Sequence, residues 1–342
     1  MPIFHLSPDN TPDHPSTPSP DAAPDNTNRP SDGAPFPPPE KGPRGLKFYH
    51  SLIIFAVVIA AMLFIAAPLQ YAFGMAGLAA TELLLLAIAL AAARLSGGDF
   101  RDTLSLRLPR IKHFFAGLLL YAGIYAAVIP VSLFTQYLFP QAGEISQALT
   151  DFGTTVPPLL AVFIMAFLPA VCEESVFRGV ILSGFRQLRK PVVIALITGI
   201  LFGIFHLDLF RFLPTAMLGF AFSYITLRSG SILTACILHF LNNVMSVYSM
   251  YLMKSAETAA EETVAFSLSL SMLTGISLIY LAFAAAGIYL ACRLFSDTRA
   301  IPHLTLIVML IALFLFIAGA AIYTSAILNS QEFMELIRQY AA

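Results

Sequence analysis

Two adjacent glutamates and an arginine stand inside a long apolar stretch of this sequence. The stretch runs from about Leu159 to Leu188, and its centre, from Cys172 to Gly179, reads CEESVFRG. A charged side chain at the centre of a membrane helix costs roughly 2.5–3.5 kcal/mol on insertion-based scales. A helix that only had to span a membrane would carry leucine or alanine here. These residues therefore indicate a functional site.

Glu174 and Arg178 are four residues apart, so on a helix they share a face and can form an ion pair. Glu173 is rotated about a third of a turn away and cannot use the same arginine equally well. One carboxylate is then neutralised and the other is available for chemistry. From these residues alone, a second interpretation stays open, in which the cluster holds helices together or marks a helix end at the water interface.

Two later apolar segments each carry a histidine at helical spacing from a second motif residue. Phe202 and His206 share one face, and His239 and Asn243 share another, while Asn242 is expected to point elsewhere. A single histidine inside a membrane is often an interhelical hydrogen bond. Polar residues at this spacing on three neighbouring segments favour a shared site.

A helical hairpin is expected to bring the first two of these segments together. Its turn lies near Arg189 and Lys190, and Glu173 and His206 lie equally far in sequence from that turn. In antiparallel helices, residues equidistant from the turn are level. The sequence therefore predicts that Glu173 faces His206.

Composition places the chain among multi-span membrane proteins. Of 342 residues, 58% are hydrophobic and 11% are charged, against about 25% charged in soluble domains. The net charge of −1 gives no field that would attract nucleic acid, so we expect no nucleic-acid partner. Cys172, Cys236 and Cys292 form no disulfide or zinc pattern and are expected to be small core residues.

The predicted fold is an all-α polytopic transmembrane bundle of about eight to nine spans. Residues 1–45 form a tail rich in Pro and Asp, expected to be disordered and cytoplasmic. Residues 46–156 are expected to form the N-terminal helices and an amphipathic cytoplasmic loop (Ser96–Lys112). Residues 157–253 are expected to form the core helices that carry the motifs, and residues 254–342 the C-terminal helices. The apolar segments, each near the ~20 residues that a span requires, are Tyr49–Ala67, Ala76–Leu95, Phe114–Phe139, Leu159–Leu188, Val192–Leu207, Phe210–Leu227, Ile232–Met253, Val264–Phe295 and Leu304–Leu328.

Flanking charges predict the orientation of the bundle. Cytoplasmic loops carry an excess of Lys and Arg, and in the nine-segment arrangement these residues concentrate on the side of the N-terminus. The other side holds Arg211, Lys254 and Arg338, with acidic Glu257, Glu261 and Glu262. We therefore expect a cytoplasmic N-terminus. The cytoplasmic set is Lys41, Arg44, Lys47, Arg94, Arg101, Arg107, Arg110, Lys112, Arg186, Arg189, Lys190, Arg228, Arg293 and Arg299.

The three polar motifs resemble those of a known protease family. EESVFRG (Glu173–Gly179), FGIFH (Phe202–His206) and HFLNN (His239–Asn243) are similar to the EExxxR, FxxxH and HxxxN/B motifs of the CAAX-protease and bacteriocin-processing family, also called type II CAAX prenyl endopeptidases or Abi-type proteins. The resemblance covers about Pro157 to Tyr251. It implies an intramembrane endopeptidase of a bacterial cell membrane that acts on a peptide or membrane-protein substrate in the lipid bilayer.

The resemblance also implies roles for the motif residues. Glu173 would be the base for the attacking water, with His206 helping to position or polarise that water. His239 and Asn243 would donate hydrogen bonds to the oxyanion, as peptide hydrolysis requires. Glu174 and Arg178 would hold the glutamate-bearing helix turn in place. No cofactor is expected.

Three alternatives stay open from the sequence. Glu173, His206 and His239 could instead be zinc ligands with an open fourth position, although the sequence has no HExxH motif. A chain of this fold could also be a non-catalytic immunity or interaction protein. A transporter is a weaker option, since intramembrane Glu and His also form proton relays. The sequence does not distinguish a prenylated CAAX tail from a leader peptide or a membrane-protein fragment as the substrate.

Overall fold

The computed structural model describes residues 45–259, 269–296 and 302–330, together with the single residue Arg338. Of the predicted tail, 1–45, only residue 45 belongs to this part. Glu261, Glu262 and Arg299 also lie outside the described residues. Over the described residues the chain is helical, as predicted. Continuous helices suit a membrane because they satisfy their own backbone hydrogen bonds.

The first two predicted spans form one helical run, Phe48–Leu95, that reverses direction at Gly74. Gly74 has φ 54° and ψ −126°, a conformation that a side chain would strain. Gln70 Nε2 donates to Thr81 Oγ1 at 3.2 Å, whereas eleven residues of straight helix would separate them by roughly 16 Å. The run is therefore a hairpin of two arms, α1 (48–73) and α2 (75–95).

The remaining helices follow in chain order. They are α3 (Phe100–Thr103), α4 (Ile111–Leu138), α5 (Gln141–Gly153), α6 (Pro158–Leu188), α7 (Pro191–Phe205), α8 (Leu209–Ser229), α9 (Ile232–Ala259), α10 (Leu270–Phe295) and α11 (Pro302–Leu328).

Eight helical segments of the described chain are long and apolar enough to span a membrane, once the α1–α2 run is divided at Gly74. The short helix α7, of 15 residues, is about 22 Å long at 1.5 Å per residue. It is shorter than the ~30 Å hydrocarbon core, but it leads from the end of the bundle that holds Arg186 to the end that holds Phe210, so it reverses the direction of the chain as a ninth span would. The prediction of an all-α bundle with eight to nine spans is confirmed, and the chain is an integral membrane protein.

Helix α6 lies at the centre of the bundle, where it contacts α1, α2, α8 and α9. It is not a uniform α-helix, because Phe163–Phe167 and Ser175–Ile181 have the wider π-helical geometry. Such bulges are frequent at functional sites. The second one begins directly after Glu174, so it re-aims the side chains around the predicted motif.

Close backbone contact joins α7 to α8. A Cβ on Gly199 would lie 2.7 Å from Ala216 O, and one on Gly219 would lie 3.0 Å from Phe202 Cβ. Small residues at such crossings let membrane helices approach closely. The contact presses Phe202 of α7 toward α6 and α8.

Polar contacts gather the basic loops at one end of the bundle. Arg186 Nη1, after α6, donates to Asp102 O at 2.9 Å, and Arg228 Nη2, near the end of α8, donates to Phe295 O at 2.8 Å. The predicted amphipathic loop packs here against the bundle, since Leu104 is buried against Gly179. Part of this loop therefore closes the end of the protein, in addition to any contact with headgroups.

The opposite end joins the loops that carry few basic residues. Lys254 Nζ forms an ion pair with Asp151 Oδ1 at 2.8 Å, and the rings of Phe139 and Phe210 are 5.7 Å apart. This grouping of loops matches the predicted alternation of the spans. The cysteine prediction is partly wrong, because Cys292 is exposed on α10, while Cys172 is buried as expected.

Labelling of single cysteines should place Ser16 and Ala256 on opposite sides of the membrane. The basic loops favour a cytoplasmic N-terminus, so in a background without native cysteines Ala256→Cys should react with an impermeant maleimide in intact cells. Ser16→Cys should react only after permeabilisation. Equal labelling of both positions in intact cells would contradict the predicted number of spans between them.

Candidate active site

Glu174 connects two helices of the predicted site. Its Oε1 atom accepts a hydrogen bond from Arg178 Nη1 at 2.8 Å, within α6, and another from His239 Nδ1 of α9, also at 2.8 Å. Glu174 and Arg178 are completely buried, and His239 is nearly so. The Glu174–Arg178 pair was predicted from spacing. The bond to His239 was not, because it depends on how α9 packs on α6.

Arg178 is held by more than its carboxylate partner. Its Nη2 donates to Gly219 O of α8 at 3.0 Å, and its guanidinium lies 4.3 Å from the ring centre of Phe202 and 5.4 Å from that of Phe222. Cations over aromatic faces are attracted to the ring quadrupole, more strongly when water is excluded. Arg178 therefore ties α6 to both α7 and α8 without contact with solvent.

Phe202, the first residue of the second motif, packs against three motif side chains. Besides Arg178, its ring lies 4.8 Å from the ring of His206 and 6.0 Å from that of His239, both edge to face. Phe222 stacks on His239 from the other helix at 5.3 Å. These two aromatic residues fix the histidine rings by packing. Neither Phe222 nor this role of Phe202 had a signal in the sequence beyond a shared helix face.

Glu173 lies beside His239. It is 7% exposed, its Oε2 atom is buried without a hydrogen bond, and His239 Nε2 lies 3.9 Å from that oxygen. Since a carboxylate can only accept, His239 Nδ1 is the donor to Glu174, and in the neutral form of the imidazole the Nε2 lone pair then faces Glu173. For a water oxygen about 2.8 Å from each of these two acceptors, the acceptor–oxygen–acceptor angle is about 90°. This angle is near the H–O–H angle of water, so one water can donate to both.

The predicted facing of Glu173 and His206 is not seen as a direct contact between their side chains. Among the described residues, the imidazole next to Glu173 is that of His239, and no hydrogen bond or ion pair joins Glu173 to His206. The prediction assumed 1.5 Å of rise per residue throughout the hairpin, but the π-helical turns of α6 are wider and shorter. A count of residues from the turn therefore does not by itself give a contact between these two side chains.

His206 ends α7 and borders the same group of side chains. Its Nδ1 donates to the carbonyl of Phe202 at 2.9 Å, which leaves Nε2 as the free nitrogen. The side chain is half-buried. The next helix, α8, begins two residues after His206 with its cap, Asp208. The Asp208 carboxylate accepts from the backbone N–H groups of Phe210 and Arg211.

Asn243 takes part in a chain of amide hydrogen bonds. Its Nδ2 donates to Met165 O at 3.2 Å, and its Oδ1 accepts from Asn242 Nδ2 at 3.0 Å. Met165 O lacks its usual helical donor because Pro169, four residues later, has no N–H. Asn242 was expected to point away, but it supports Asn243 and accepts from Tyr121 OH at 3.3 Å. One N–H of Asn243 Nδ2 is left for a further acceptor.

An apolar groove opens next to these residues. It has a volume of about 640 Å³ and lies between the first turns of α6 and the middle of α9. Phe240, which follows His239 in sequence, forms part of its wall, and Phe167 contacts Phe240 with ring centres 6.4 Å apart. The lining residues are Pro157, Leu159, Leu160, Val162, Phe163, Phe167 and Phe240.

The alternative zinc site would require Glu173, His206 and His239 to converge on one point. Among the described residues, no group of three His, Cys, Asp or Glu side chains has the spacing of a metal site. Glu173 and His239 approach each other, but His206 does not complete a trio with them. This side-chain arrangement does not fit the zinc-ligand prediction, so no reaction step is derived through a metal.

Comparison with known proteins shows that the same part of the chain is similar to a protease family. Residues 155–245 match the family model described as Type II CAAX prenyl endopeptidase Rce1-like. This interval contains all three motifs and agrees with the resemblance predicted from Pro157 to Tyr251. This region is therefore similar to the type II CAAX prenyl endopeptidases, and the predicted resemblance is confirmed.

A curated relative comes from Bacillus subtilis (strain 168) and is named "Putative membrane peptidase YdiL". The chain is 28% identical to it over 104 residues, which is 30% of this chain and 42% of the relative. The match thus spans less than half of the relative's length. No solved structure matches the chain significantly.

Proposed function

We propose that this protein is an intramembrane endopeptidase that hydrolyses a peptide bond with a water activated by Glu173. The observation that carries the proposal is the unpaired Glu173 Oε2 facing His239 Nε2 at 3.9 Å. These acceptors lie in a buried site where Glu174 and Arg178 neutralise each other. A buried carboxylate without its own cation suits a base better than a structural contact.

In the proposed reaction, water donates one hydrogen bond to Glu173 and one to His239. As its oxygen attacks the scissile carbonyl carbon, its proton passes to Glu173. The carbonyl oxygen becomes an oxyanion, to which the remaining N–H of Asn243 is positioned to donate. When the C–N bond breaks, the proton on Glu173 passes to the leaving amine, which restores the starting carboxylate.

Glu174 has a positioning role in this scheme. By accepting from His239 Nδ1, it holds the ring with Nε2 toward Glu173 and stabilises the imidazolium if His239 takes a proton. Relative to the sequence-based assignment, His239 takes over the water-polarising role given to His206. His206 remains a proposed site residue through its free Nε2.

The apolar groove beside Phe240 favours a substrate with an apolar segment near the cleaved bond. A prenylated C-terminal peptide and an unmodified hydrophobic peptide both have this chemistry. The proposed setting is a bacterial cell membrane with the N-terminus in the cytoplasm, as the distribution of Lys and Arg indicates. The test is cleavage of both peptides by the purified full-length protein, with mass spectrometry to locate the cut; no cleavage of either peptide would oppose the proposal.

Metal content should separate the proposed mechanism from a zinc mechanism with the same residues. We expect active protein to contain no stoichiometric transition metal and to retain its turnover in a strong chelator. His206→Ala and His239→Ala should lower turnover without changing metal content. The measurement is elemental analysis beside a Glu173→Gln preparation. One zinc per chain, lost together with activity on chelation and restored by zinc, would overturn the metal-free mechanism.

A further inference from the structure

A third buried glutamate lies outside the three motifs. Glu82, in the middle of α2, is 3% exposed, and its Oε2 atom is buried with no hydrogen-bond partner. An unpaired buried carboxylate is costly in a membrane protein, and such residues are functional by default. In the surrounding sequence, ATELLLLAIAL, the other polar residue is Thr81, whose hydroxyl donates to Gly77 O.

The packing of α2 brings Glu82 to the proposed base. Helix α2 contacts the 168–174 stretch of α6, which ends in Glu173 and Glu174. Glu82 is close enough to Glu173 for the two carboxyl groups to interact electrostatically. Glu82 and Glu173 each have a buried Oε2 atom with no hydrogen-bond partner.

The local charge balance leaves this pair without a cation. Arg178 is already paired with Glu174 at 2.8 Å, and His239 donates to Glu174 rather than to Glu173. Two nearby carboxyls in low-dielectric surroundings do not both stay charged, so such a pair keeps one proton. A protonated carboxyl is a hydrogen-bond donor, and a carboxylate is an acceptor.

We propose that Glu82 is a positioning residue that stays protonated and donates a hydrogen bond to the carboxylate of Glu173, which it orients toward the attacking water. This proposal rests on the proposed function of Glu173 as base. The proton held by Glu82 is not consumed, because the proton taken from water returns through Glu173 to the leaving amine.

The groups around Glu82 make this assignment specific. On α6, Cys172 and Glu173 are close enough to Glu82 to interact with it electrostatically. The 62–73 stretch of α1 has no charged residue, and its Tyr71 is exposed. The charged side chains on the other short helices that contact α2 are exposed to solvent: Arg101 and Asp102 of α3, and Glu144 and Asp151 of α5.

Glutamine and leucine at position 82 test the proposal, because glutamine keeps a neutral donor and leucine removes it. Glu82→Gln should keep kcat near neutral pH, whereas Glu82→Leu should lower kcat by about 10- to 100-fold, the effect of losing one hydrogen bond to a charged group. KM should stay unchanged in both. Glu144→Gln, an exposed carboxylate on α5, is the control and should behave as wild type.

The pH profile supplies a readout that a purely structural role would not change. In the wild type, kcat should fall at alkaline pH as the pair loses its shared proton and Glu82 stops donating. In Glu82→Gln that alkaline decrease should disappear. If Glu82→Leu does not fold, the pH profiles of wild type and Glu82→Gln are sufficient to test the proposal. Identical profiles for wild type and Glu82→Gln would overturn the proposal, while full turnover in Glu173→Gln would instead reject Glu173 as the base.

Discussion

Replacing Glu173 by glutamine should reduce peptide hydrolysis to background while the protein still folds and still binds substrate. Glutamine has nearly the same shape but cannot accept the proton of the attacking water. Positioned acid–base groups contribute about 10²–10⁴-fold to rate, and no other free carboxylate faces His239 in the described residues. Folding should be kept because Glu173 Oε2 makes no hydrogen bond that the change would break.

The measurement is single-turnover cleavage of the reporter peptide, with thermal unfolding in detergent and peptide binding measured on the same preparation. Asn243→Ala is a graded comparison, since loss of one oxyanion donor lowers turnover by about 10²–10³ and leaves detectable activity. Glu144→Gln serves as the control for loss of a carboxylate outside the site. Activity above one tenth of wild type in Glu173→Gln would show that another group takes the proton.

The sequence was sufficient to predict the fold class and the ion pair within α6. Hydrophobic stretches gave the spans because a membrane requires long apolar helices. The pair of Glu174 and Arg178 followed from i,i+4 spacing alone, and the structure places them 2.8 Å apart. Predictions of this kind succeed because the interaction is contained within one helix.

Contacts between helices were less accessible to sequence reasoning. The bond from His239 to Glu174 joins residues 65 positions apart, and the interaction of Glu82 with Glu173 depends on the packing of α2 on α6. Helical periodicity fixes which residues share a face, but it does not fix which helices are neighbours. A search for every charged residue inside an apolar segment would have found Glu82, because TELLLL has the same signal as the motif glutamates.

The local geometry of α6 also affects the predicted facing of Glu173 and His206. The level argument for Glu173 and His206 treated both helices as ideal, while Ser175–Ile181 is π-helical. Nothing in the letters SVFRGVI marks that turn, since π-bulges are imposed by the packing of neighbouring helices as much as by local propensity. The bulge places Arg178 among Phe202 and Phe222.

Replacing Arg178 by methionine should have the largest effect on stability. The change removes the cation but keeps much of the apolar volume, so the carboxylate of Glu174 is left buried with His239 as its remaining donor. Breaking a buried ion pair by removing one partner typically costs about 3–5 kcal/mol. The hydrogen bond to Gly219 O and the contacts with Phe202 are lost as well.

A double-variant cycle separates the charge from the packing. Glu174→Gln alone leaves Arg178 buried without a counter-charge and should also destabilise, whereas Glu174→Gln with Arg178→Met removes both charges. The double variant should be more stable than the sum of the single changes predicts, by about 1–3 kcal/mol of coupling. Glutamine at 174 can still accept from His239, so the fold should be kept.

Turnover in the same four proteins distinguishes a structural role from a chemical one. The double variant should regain stability in detergent yet remain slow, because a neutral amide at 174 accepts more weakly from His239 Nδ1 than a carboxylate does and holds Nε2 less firmly toward Glu173. The measurements are reversible unfolding free energies and single-turnover rates. If Arg178→Met kept wild-type stability and lost only turnover, Arg178 would act on the reacting groups themselves. The aromatic rings around its guanidinium would then orient that group rather than hold the helices together.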